Sequence, residues 1–306
     1  MGRSVVVTGA GSGIGLATAL RLAGAGYEVI ATARSTEKAE KLAARAEERG
    51  LHLQTLALEL TDADACHAVF AEIAERTGGG PWAVVNNAGV VTPRAVEDVT
   101  EADARRVMDV NVHAPARIAR LVLPGMRSRG EGRIVNVTSM GGRVSLPLNG
   151  WYCASKSALR ALTDALRMEN AALGVHAILV EPGFHTTALL EHAAEALHEP
   201  STVCEQFTAS YRATAVALRS TSRYASPDVA AAAILRALRA PRPKACYRAG
   251  TAARLSVASN ALLPTVMTDR TKKSLAGLAP SHLGLRRRLA GMAGLPGLSV
   301  PQRTDG

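Results

Sequence analysis

The run Val5-Val6-Val7-Thr8-Gly9-Ala10-Gly11-Ser12-Gly13-Ile14-Gly15, followed by Leu16-Ala17-Thr18-Ala19-Leu20-Arg21-Leu22, decides the fold. The valines are β-branched and too few for a helix, so they read as a strand. The residues after Gly15 have helical character. Strand, glycine turn and helix in that order form the context that a dinucleotide fingerprint requires. Glycine lets the chain turn tightly and bring its backbone close to a pyrophosphate, and a helix N-terminus offers unpaired N–H groups to the anion. Such a turn also serves as an ordinary strand-to-helix connection. Its spacing here, Gly9-x-x-x-Gly13-x-Gly15, departs from G-x-G-x-x-G. Its meaning therefore depends on what stands downstream.

The next strand, Glu28-Val29-Ile30-Ala31-Thr32-Ala33, ends at Arg34. In a Rossmann unit an acidic residue near this point holds the 2′-hydroxyl of NAD, whereas an arginine accommodates the 2′-phosphate of NADP. Ala33 removes the carboxylate and Arg34 supplies a guanidinium fork suited to phosphate oxygens. Ser12 offers a further hydroxyl donor. The pattern predicts NADP(H) in preference to NAD(H), against the plainer reading of a solvated arginine at a strand end.

Strand-like and helix-like runs alternate from residue 3 to about 183. Predicted strands fall at about 3–8, 27–33, 52–58, 82–86, 132–138, 175–181 and 244–248. This is the pattern of an α/β protein, a doubly wound Rossmann fold with a seven-stranded parallel sheet and helices on both faces. The 306 residues suffice for one large domain or two small ones, and no internal boundary, repeat or heptad array is visible. We expect a catalytic domain over residues 1–250, with a substrate loop inserted at about 184–226. A basic extension follows over 251–306, and its last fifteen residues or so are rich in Gly and Pro.

Tyr152 and Lys156 stand four residues apart in Trp151-Tyr152-Cys153-Ala154-Ser155-Lys156, with Ser139 thirteen residues before the tyrosine. On a helix, i and i+4 share a face. An ammonium so placed favours the phenolate and is expected to lower the tyrosine pKa toward working pH, where acid–base catalysis is most effective. Alone, the pair is also what an unremarkable helix surface would carry.

Its company is more specific. Asn86-Asn87-Ala88-Gly89, Asp109-Val110-Asn111-Val112, Gly132-Arg133-Ile134-Val135-Asn136-Val137-Thr138-Ser139 and Val180-Glu181-Pro182-Gly183-Phe184-His185-Thr186-Thr187 occur in this order around the Tyr/Lys segment. Taken with the glycine turn, the chain resembles the short-chain dehydrogenase/reductase family in its single-domain branch, over roughly residues 3–250. Within that family, Ser139-Met140-Gly141-Gly142 and Leu146-Pro147-Leu148-Asn149-Gly150-Trp151-Tyr152 look most like the 17β-hydroxysteroid and retinol dehydrogenase group and its bacterial relatives.

The resemblance implies roles. Tyr152 is the acid/base, Ser139 binds the substrate oxygen, Lys156 holds the nicotinamide ribose, and Asn111 bends a helix around a water. Gly9, Gly11, Ser12, Gly13, Ile14 and Gly15 line the pyrophosphate and ribose, while Asn87, Ala88 and Gly89 sit by the adenosine ribose. Pro182, Gly183 and Thr187 cover the nicotinamide. For Asn87, Pro182 and Thr187, shaping of the backbone is the alternative. The family usually carries aspartate beside the adenine at the end of the third strand. Here Leu58-Glu59-Leu60-Thr61-Asp62 places Glu59, with Leu60, in that region. Asp62 reads as the cap of the next helix. The family also usually assembles as dimers or tetramers through two long helices, here about 103–129 and 151–173.

The implied reaction is reversible hydride exchange between NADP(H) and a carbonyl/alcohol pair, with no metal. Val144, Leu146, Asn149 and Phe184, together with Ser139, Tyr152 and neighbours such as Leu148 and Trp151, are expected to form the substrate pocket. Apolar walls there suit a hydrophobic steroid-, retinoid- or polyketide-like substrate. His185, His192 and His198 each read as surface histidines or as partners of a remote oxygen. A non-catalytic NADP-binding regulator would have no reason to keep Asn111, Ser139, Tyr152 and Lys156 together. A sugar-nucleotide epimerase usually has a differently spaced first turn and a larger C-terminal domain.

The net charge of +10 invites a nucleic-acid reading, but from residue 241 onward eleven Lys and Arg stand against two Asp. The excess therefore lies in the tail, the catalytic part is near neutral, and no nucleic-acid partner is expected. Arg270-Thr271-Lys272-Lys273 and Arg286-Arg287-Arg288, set among Leu, Ala and Gly, also suit a basic segment lying on an anionic membrane surface. A partly ordered cover ending in a loose tail is the preferred reading. No apolar run reaches the roughly 18 residues needed to span a bilayer. The chain starts directly with a strand, and Cys66, Cys153, Cys204 and Cys246 have neither metal nor disulfide spacing. These features lead to an expected cytoplasmic location.

Overall fold

The computed structural model describes residues 3–183, 185 and 225–275. Strand β1 (Ser4–Val7) leads through the glycine turn into helix α1 (Gly13–Ala23), then β2 (Glu28–Ala33), α2 (Thr36–Glu47), β3 (Gln54–Ala57) and α3 (Ala63–Arg76). Strand β4 (Ala83–Asn86) is followed by α4 (Glu101–Met108), a π-helical stretch at Asp109–His113 and α5 (Ala114–Arg129). Then come β5 (Gly132–Val137), α6 (Gly150–Asn170), β6 (Val175–Pro182), α7 (Pro227–Arg239), β7 (Cys246–Ala249), α8 (Thr251–Leu262) and α9 (Thr265–Leu275).

The seven strands form one parallel sheet in the order β3-β2-β1-β4-β5-β6-β7. The chain builds outward from β1 to β3, then returns to lay β4 against the other side of β1. That reversal opens a crevice beyond the carboxyl ends of β1 and β4, where open α/β sheets bind their ligands. The glycine turn follows β1 and Asn87-Ala88-Gly89 follow β4, so both line that crevice.

Alternation along the strands divides the core. Val5, Val7, Val29, Ala31, Val85, Val135 and Val180 face one side, with Leu20 and Leu22 of α1, Leu42 of α2 and Ile234 and Leu238 of α7. Val6, Ile30, Val84 and Ile134 face the other, with Phe70 and Ile73 of α3 and Ile118, Val122 and Met126 of α5. Both faces are covered, which explains why the strands read as continuous apolar runs. A smaller cluster of Met140, Val144, Ala253 and Val257 packs α8 over the turn that follows β5.

Local signals account for the helix starts. Asp62 accepts from the Ala65 N–H and Thr100 from the Asp103 N–H, capping α3 and α4. At the opposite end of the sheet, Arg133 is buried and donates to the carbonyl oxygens of Leu238 (3.0 Å) and Ala240 (2.7 Å), closing the end of α7. Among the described residues no helix is long and apolar enough to cross a membrane.

Candidate active site

The glycine turn is held by side chains from the far side of the crevice. Ala10 N–H donates to Thr32 O at 2.8 Å, which ties the turn to the end of β2. Asn87 Nδ2 donates to the carbonyl oxygens of Thr8 (3.0 Å) and Gly9 (3.2 Å). Thr8 Oγ1 accepts from the N–H groups of Asn87 (3.1 Å) and Ala88 (3.2 Å). Gly9 has φ +64°, and a Cβ there would lie 2.8 Å from Ala88 Cα. A Cβ at Gly15 would lie 2.3 Å from Gly9 O and 2.4 Å from Asn87 Nδ2. Glycine at these two positions is a steric requirement of the turn. The Asn87 side chain is thus committed to shaping backbone, and Thr8, which the sequence reading passed over, is its partner.

Ser12 precedes α1 in extended conformation, its side chain caps no helical N–H, and the first turn contains no acidic residue. Gly11, Gly13 and Ile14 are half-buried around it, and Arg34 is exposed at the end of β2. An uncapped, positively polarised helix end beside a free hydroxyl and an exposed guanidinium fits a dinucleotide phosphate. The Glu59 carboxylate accepts from Thr61 N–H (3.2 Å) and Thr61 Oγ1 (3.0 Å). Leu60 is buried, and its carbonyl oxygen accepts from Arg117 Nη1 at 2.8 Å.

Ser139, Tyr152, Lys156 and Asn111 come together at the carboxyl end of β5. Ser139 is the last residue before a 3-10 turn at Met140–Gly142; its Oγ accepts from Gly141 N–H at 3.0 Å, and it lies close enough to the Tyr152 phenol to lower that group's pKa. Lys156 is buried and its Nζ donates to Val137 O at 3.1 Å, 5.8 Å from the centre of the Tyr152 ring. Asn111 is fully buried in the π-helical stretch. Its Oδ1 accepts from Val90 N–H, and its Nδ2 donates to Val90 O and Ser155 Oγ, each at 2.9 Å. Ser155 in turn donates to Tyr152 O at 2.7 Å. Asn111 is therefore bound to the tyrosine helix through Ser155, a residue missed by sequence reasoning although it lies inside the Tyr/Lys segment. Gly89 keeps the β4 loop close to this group: a Cβ there would lie 3.3 Å from both Asn111 Oδ1 and Lys156 Nζ.

The electrostatics correct one expectation. Burial pushes the Tyr152 phenol up to about 12; the Ser139 hydrogen bond opposes that rise and the neighbouring Cys153 adds to it. Burial also draws the Lys156 ammonium down to about 8. The lysine was expected to acidify the tyrosine. In this structure desolvation is the largest influence on both groups, and the amine is engaged by a backbone carbonyl.

Of the expected pocket residues, Val144 is buried in the cluster with Ala253 and Val257, and Leu146 packs on its edge. Asn149 Nδ2 donates to Pro147 O at 3.2 Å. Leu148 before it has φ +58°, the one non-glycine residue at positive φ among the described residues. Cys153 is buried, with Sγ 3.9 Å from Val144 O. Pro182 and Gly183 are pinned to β7, Gly183 N–H donating to Ala249 O at 3.0 Å. His185 is buried, not a surface histidine. Its Nδ1 lies 3.0 Å from Gly183 O, burial holds the ring pKa down, and Nε2 has no partner among the described residues. Phe184, Thr187, His192 and His198 lie outside the described residues.

Comparison with known proteins gives a consistent picture. The family pattern described as short chain dehydrogenase matches residues 3–198. The chain is 32% identical over 276 residues to retinol dehydrogenase 7 of Mus musculus, covering 87% of this chain and 86% of that one. The crystal structure of a short-chain dehydrogenase from Streptomyces avermitilis superposes with a TM-score of 0.74 at 31% identity, over 89% of this chain and 96% of that one. A metagenomic short-chain oxidoreductase in complex with NADP superposes with a TM-score of 0.64 at 25% identity, over 80% of this chain and 96% of that one.

Proposed function

The chain belongs to the short-chain dehydrogenase family, and from that membership and the geometry of its site we propose that it exchanges hydride between NADP(H) and the carbonyl/alcohol pair of a hydrophobic small molecule. The observation that carries this reading is the convergence of Ser139, Tyr152 and Lys156 beside a glycine turn built for close backbone approach. Bound there, the nicotinamide ring would supply or accept the hydride. Gly9, Gly13, Ile14 and the open first turn of α1 would hold the pyrophosphate, with Ser12 and Arg34 toward a 2′-phosphate.

In reduction, Tyr152 gives its proton to the carbonyl oxygen, and the Ser139 hydroxyl shares that oxygen and stabilises the charge developing on it. In oxidation Tyr152 takes the alcohol proton. Its raised pKa suits the first direction better, because the phenol stays protonated at neutral pH. Lys156, withdrawn from water, would bind ribose hydroxyls. The NADP complex of the metagenomic relative supports the choice of cofactor, and the likeness to a retinol dehydrogenase supports an apolar substrate.

The test is a panel of ketones, aldehydes and alcohols assayed with NADPH/NADP⁺ and NADH/NAD⁺, with Tyr152→Phe alongside. Removal of the acid/base should cost on the order of 10²–10⁴-fold in turnover while NADPH still binds. Undiminished turnover in that variant rejects the mechanism. Binding of NADPH without turnover of any substrate class favours the regulatory reading.

One observation favours attachment to a surface as well. Leu255, Leu262, Val266 and Met267 are exposed on α8 and α9, with Arg254, Arg270 and Lys273 exposed among them. That mixture of apolar and basic side chains suits an anionic lipid surface. Sedimentation with phosphatidylserine vesicles, comparing the full chain with Leu255→Ser/Leu262→Ser, tests it; equal recovery in the pellet counts against it.

A further inference from the structure

A fully buried carboxylate stands behind the site, and none of the roles above uses it. Glu181 is the penultimate residue of β6, and its side chain is 0% exposed, against 28% for Arg143 and 39% for Arg248. Arg143 Nε donates to one carboxylate oxygen, and Arg248 Nε donates to the other at 3.2 Å. Glu181 and Arg248 are register partners on adjacent strands. Burial, and then the charge of this carboxylate beside it, push the Cys246 thiol up to about 12. A buried ion pair of this kind is poor value as a stabiliser, since apolar residues of similar volume often do as well or better. A carboxylate retained here invites a positional explanation.

Arg143 supplies one. It comes four residues after Ser139 and closes the turn Met140–Gly142, its N–H donating to Met140 O at 2.9 Å. The turn is pressed against α6: a Cβ at Gly142 would lie 2.9 Å from Lys156 O, and one at Gly141 3.4 Å from both Ser139 Oγ and Tyr152 Cε1. Its far end is held by Asn260 Nδ2, which donates to Arg143 O at 3.1 Å, and by the Arg143 side chain on Glu181. The Ser139 hydroxyl therefore sits on a short turn clamped between α6 and a buried anion.

We propose that Glu181 and Arg143 are positioning residues, a strut that fixes the Ser139 hydroxyl against the Tyr152 phenol. The inference rests on the reading of Ser139 and Tyr152 as the pair that meets the substrate oxygen. It goes further in assigning the alignment of that pair to an ion pair outside the pocket. Misplacement of a catalytic group by about 1 Å costs on the order of 10²-fold in rate. The Tyr152 phenol is faced by Ser139 from the turn, and by Lys156 and Cys153 from its own helix. Of these, Ser139 is the one the strut controls. Drawing Ser139 away from the phenol removes an influence that lowers its pKa, so the limb of the alcohol-oxidation profile that rises with pH should move to higher pH.

The experiment compares the full chain with Arg143→Met, Arg143→Lys and Glu181→Gln. The readouts are kcat and KM for oxidation across pH, NADPH Kd by fluorescence, and amide hydrogen exchange over residues 139–146. Arg143→Met should lower kcat on the order of 10²-fold, with KM and NADPH Kd changing far less. The pH limb should rise and exchange in 139–146 should accelerate. Arg143→Lys, which restores the charge, should recover part of kcat and return the limb toward its original position. A kcat close to that of the parent chain, or a loss matched by an equal loss of NADPH affinity with an unmoved limb, would overturn the proposal. If the parent chain turns over none of the substrates, the reaction reading fails, and exchange still decides the strut: unaltered exchange over 139–146 in Arg143→Met overturns it.

Discussion

The Lys156 amine donates to the Val137 carbonyl oxygen at 3.1 Å while lying 5.8 Å from the centre of the Tyr152 ring. One buried cation is thus shared between the end of β5 and the tyrosine helix. Burial holds its pKa at about 8, below the ordinary 10.5. Between those two values the unfolded chain keeps a proton that the native lysine has lost, so native stability rises with pH. The gain is complete above about pH 10.5 and is lost as pH falls through about 8. The difference in unfolding free energy between the parent chain and Lys156→Met should therefore grow by about 3 kcal/mol across that window. Urea unfolding at a series of pH values measures it, and a difference that does not change with pH would mean that water reaches the amine.

Two glycines of the first turn should respond differently to alanine. At Gly15 the methyl would meet Gly9 O and Asn87 Nδ2, whereas at Gly11 it would meet Ala33 Cβ at 3.8 Å. Gly15→Ala should lose about 1–3 kcal/mol of stability, together with dinucleotide binding. Gly11→Ala should fold normally, so any fall in NADPH affinity there reports a methyl group in the path of the ligand. Thermal melting and fluorescence titration separate the two effects.

Arg34 is exposed at the end of β2, and in the proposed reading it would meet the 2′-phosphate. Arg34→Asp removes a charge-assisted contact worth about 1.5–3 kcal/mol and supplies a carboxylate suited to a ribose 2′-hydroxyl. NADPH affinity should fall about 10–100-fold and the preference should turn to NADH. Parallel titrations with both dinucleotides check it; an unchanged ratio would place the 2′ group elsewhere.

Asn111 satisfies the Val90 N–H and C=O and Ser155 Oγ at once. Asn111→Leu takes the side-chain partner from the Val90 N–H and C=O, at about 1–3 kcal/mol each, and leaves Ser155 Oγ with Tyr152 O alone. The melting temperature should fall steeply, or the chain should fail to fold. His113→Ala removes an exposed partner of Asp109 two residues away and should shift stability by at most about 1 kcal/mol. Similar losses in both variants would mean that helix propensity, not the buried amide, sets the effect.

Much of the architecture was legible because its signals are short-range. The predicted strands at 27–33 and 175–181 differ from Glu28–Ala33 and Val175–Pro182 by one residue at the ends. Asp62 could be named as a cap from its place before Ala63. Residues with more distant partners were harder to read. Thr8 looked like a strand end until Asn87 and Ala88 were seen to donate to its hydroxyl. Glu59 was read only as a neighbour of the adenine, and its carboxylate also accepts from Thr61 N–H and Oγ1.

From the order of residues alone came the alternating strands and helices, the parallel sheet they imply, and the motifs that carry the candidate site. Each follows from periodicity or from a motif a few residues long. Only the folded chain decided how those groups ionise and what holds them. Desolvation, which raises the Tyr152 pKa and lowers that of Lys156, depends on every neighbour that excludes water. The pairing of Glu181 with Arg143 joins residues 38 positions apart in the chain, a contact that no local pattern encodes.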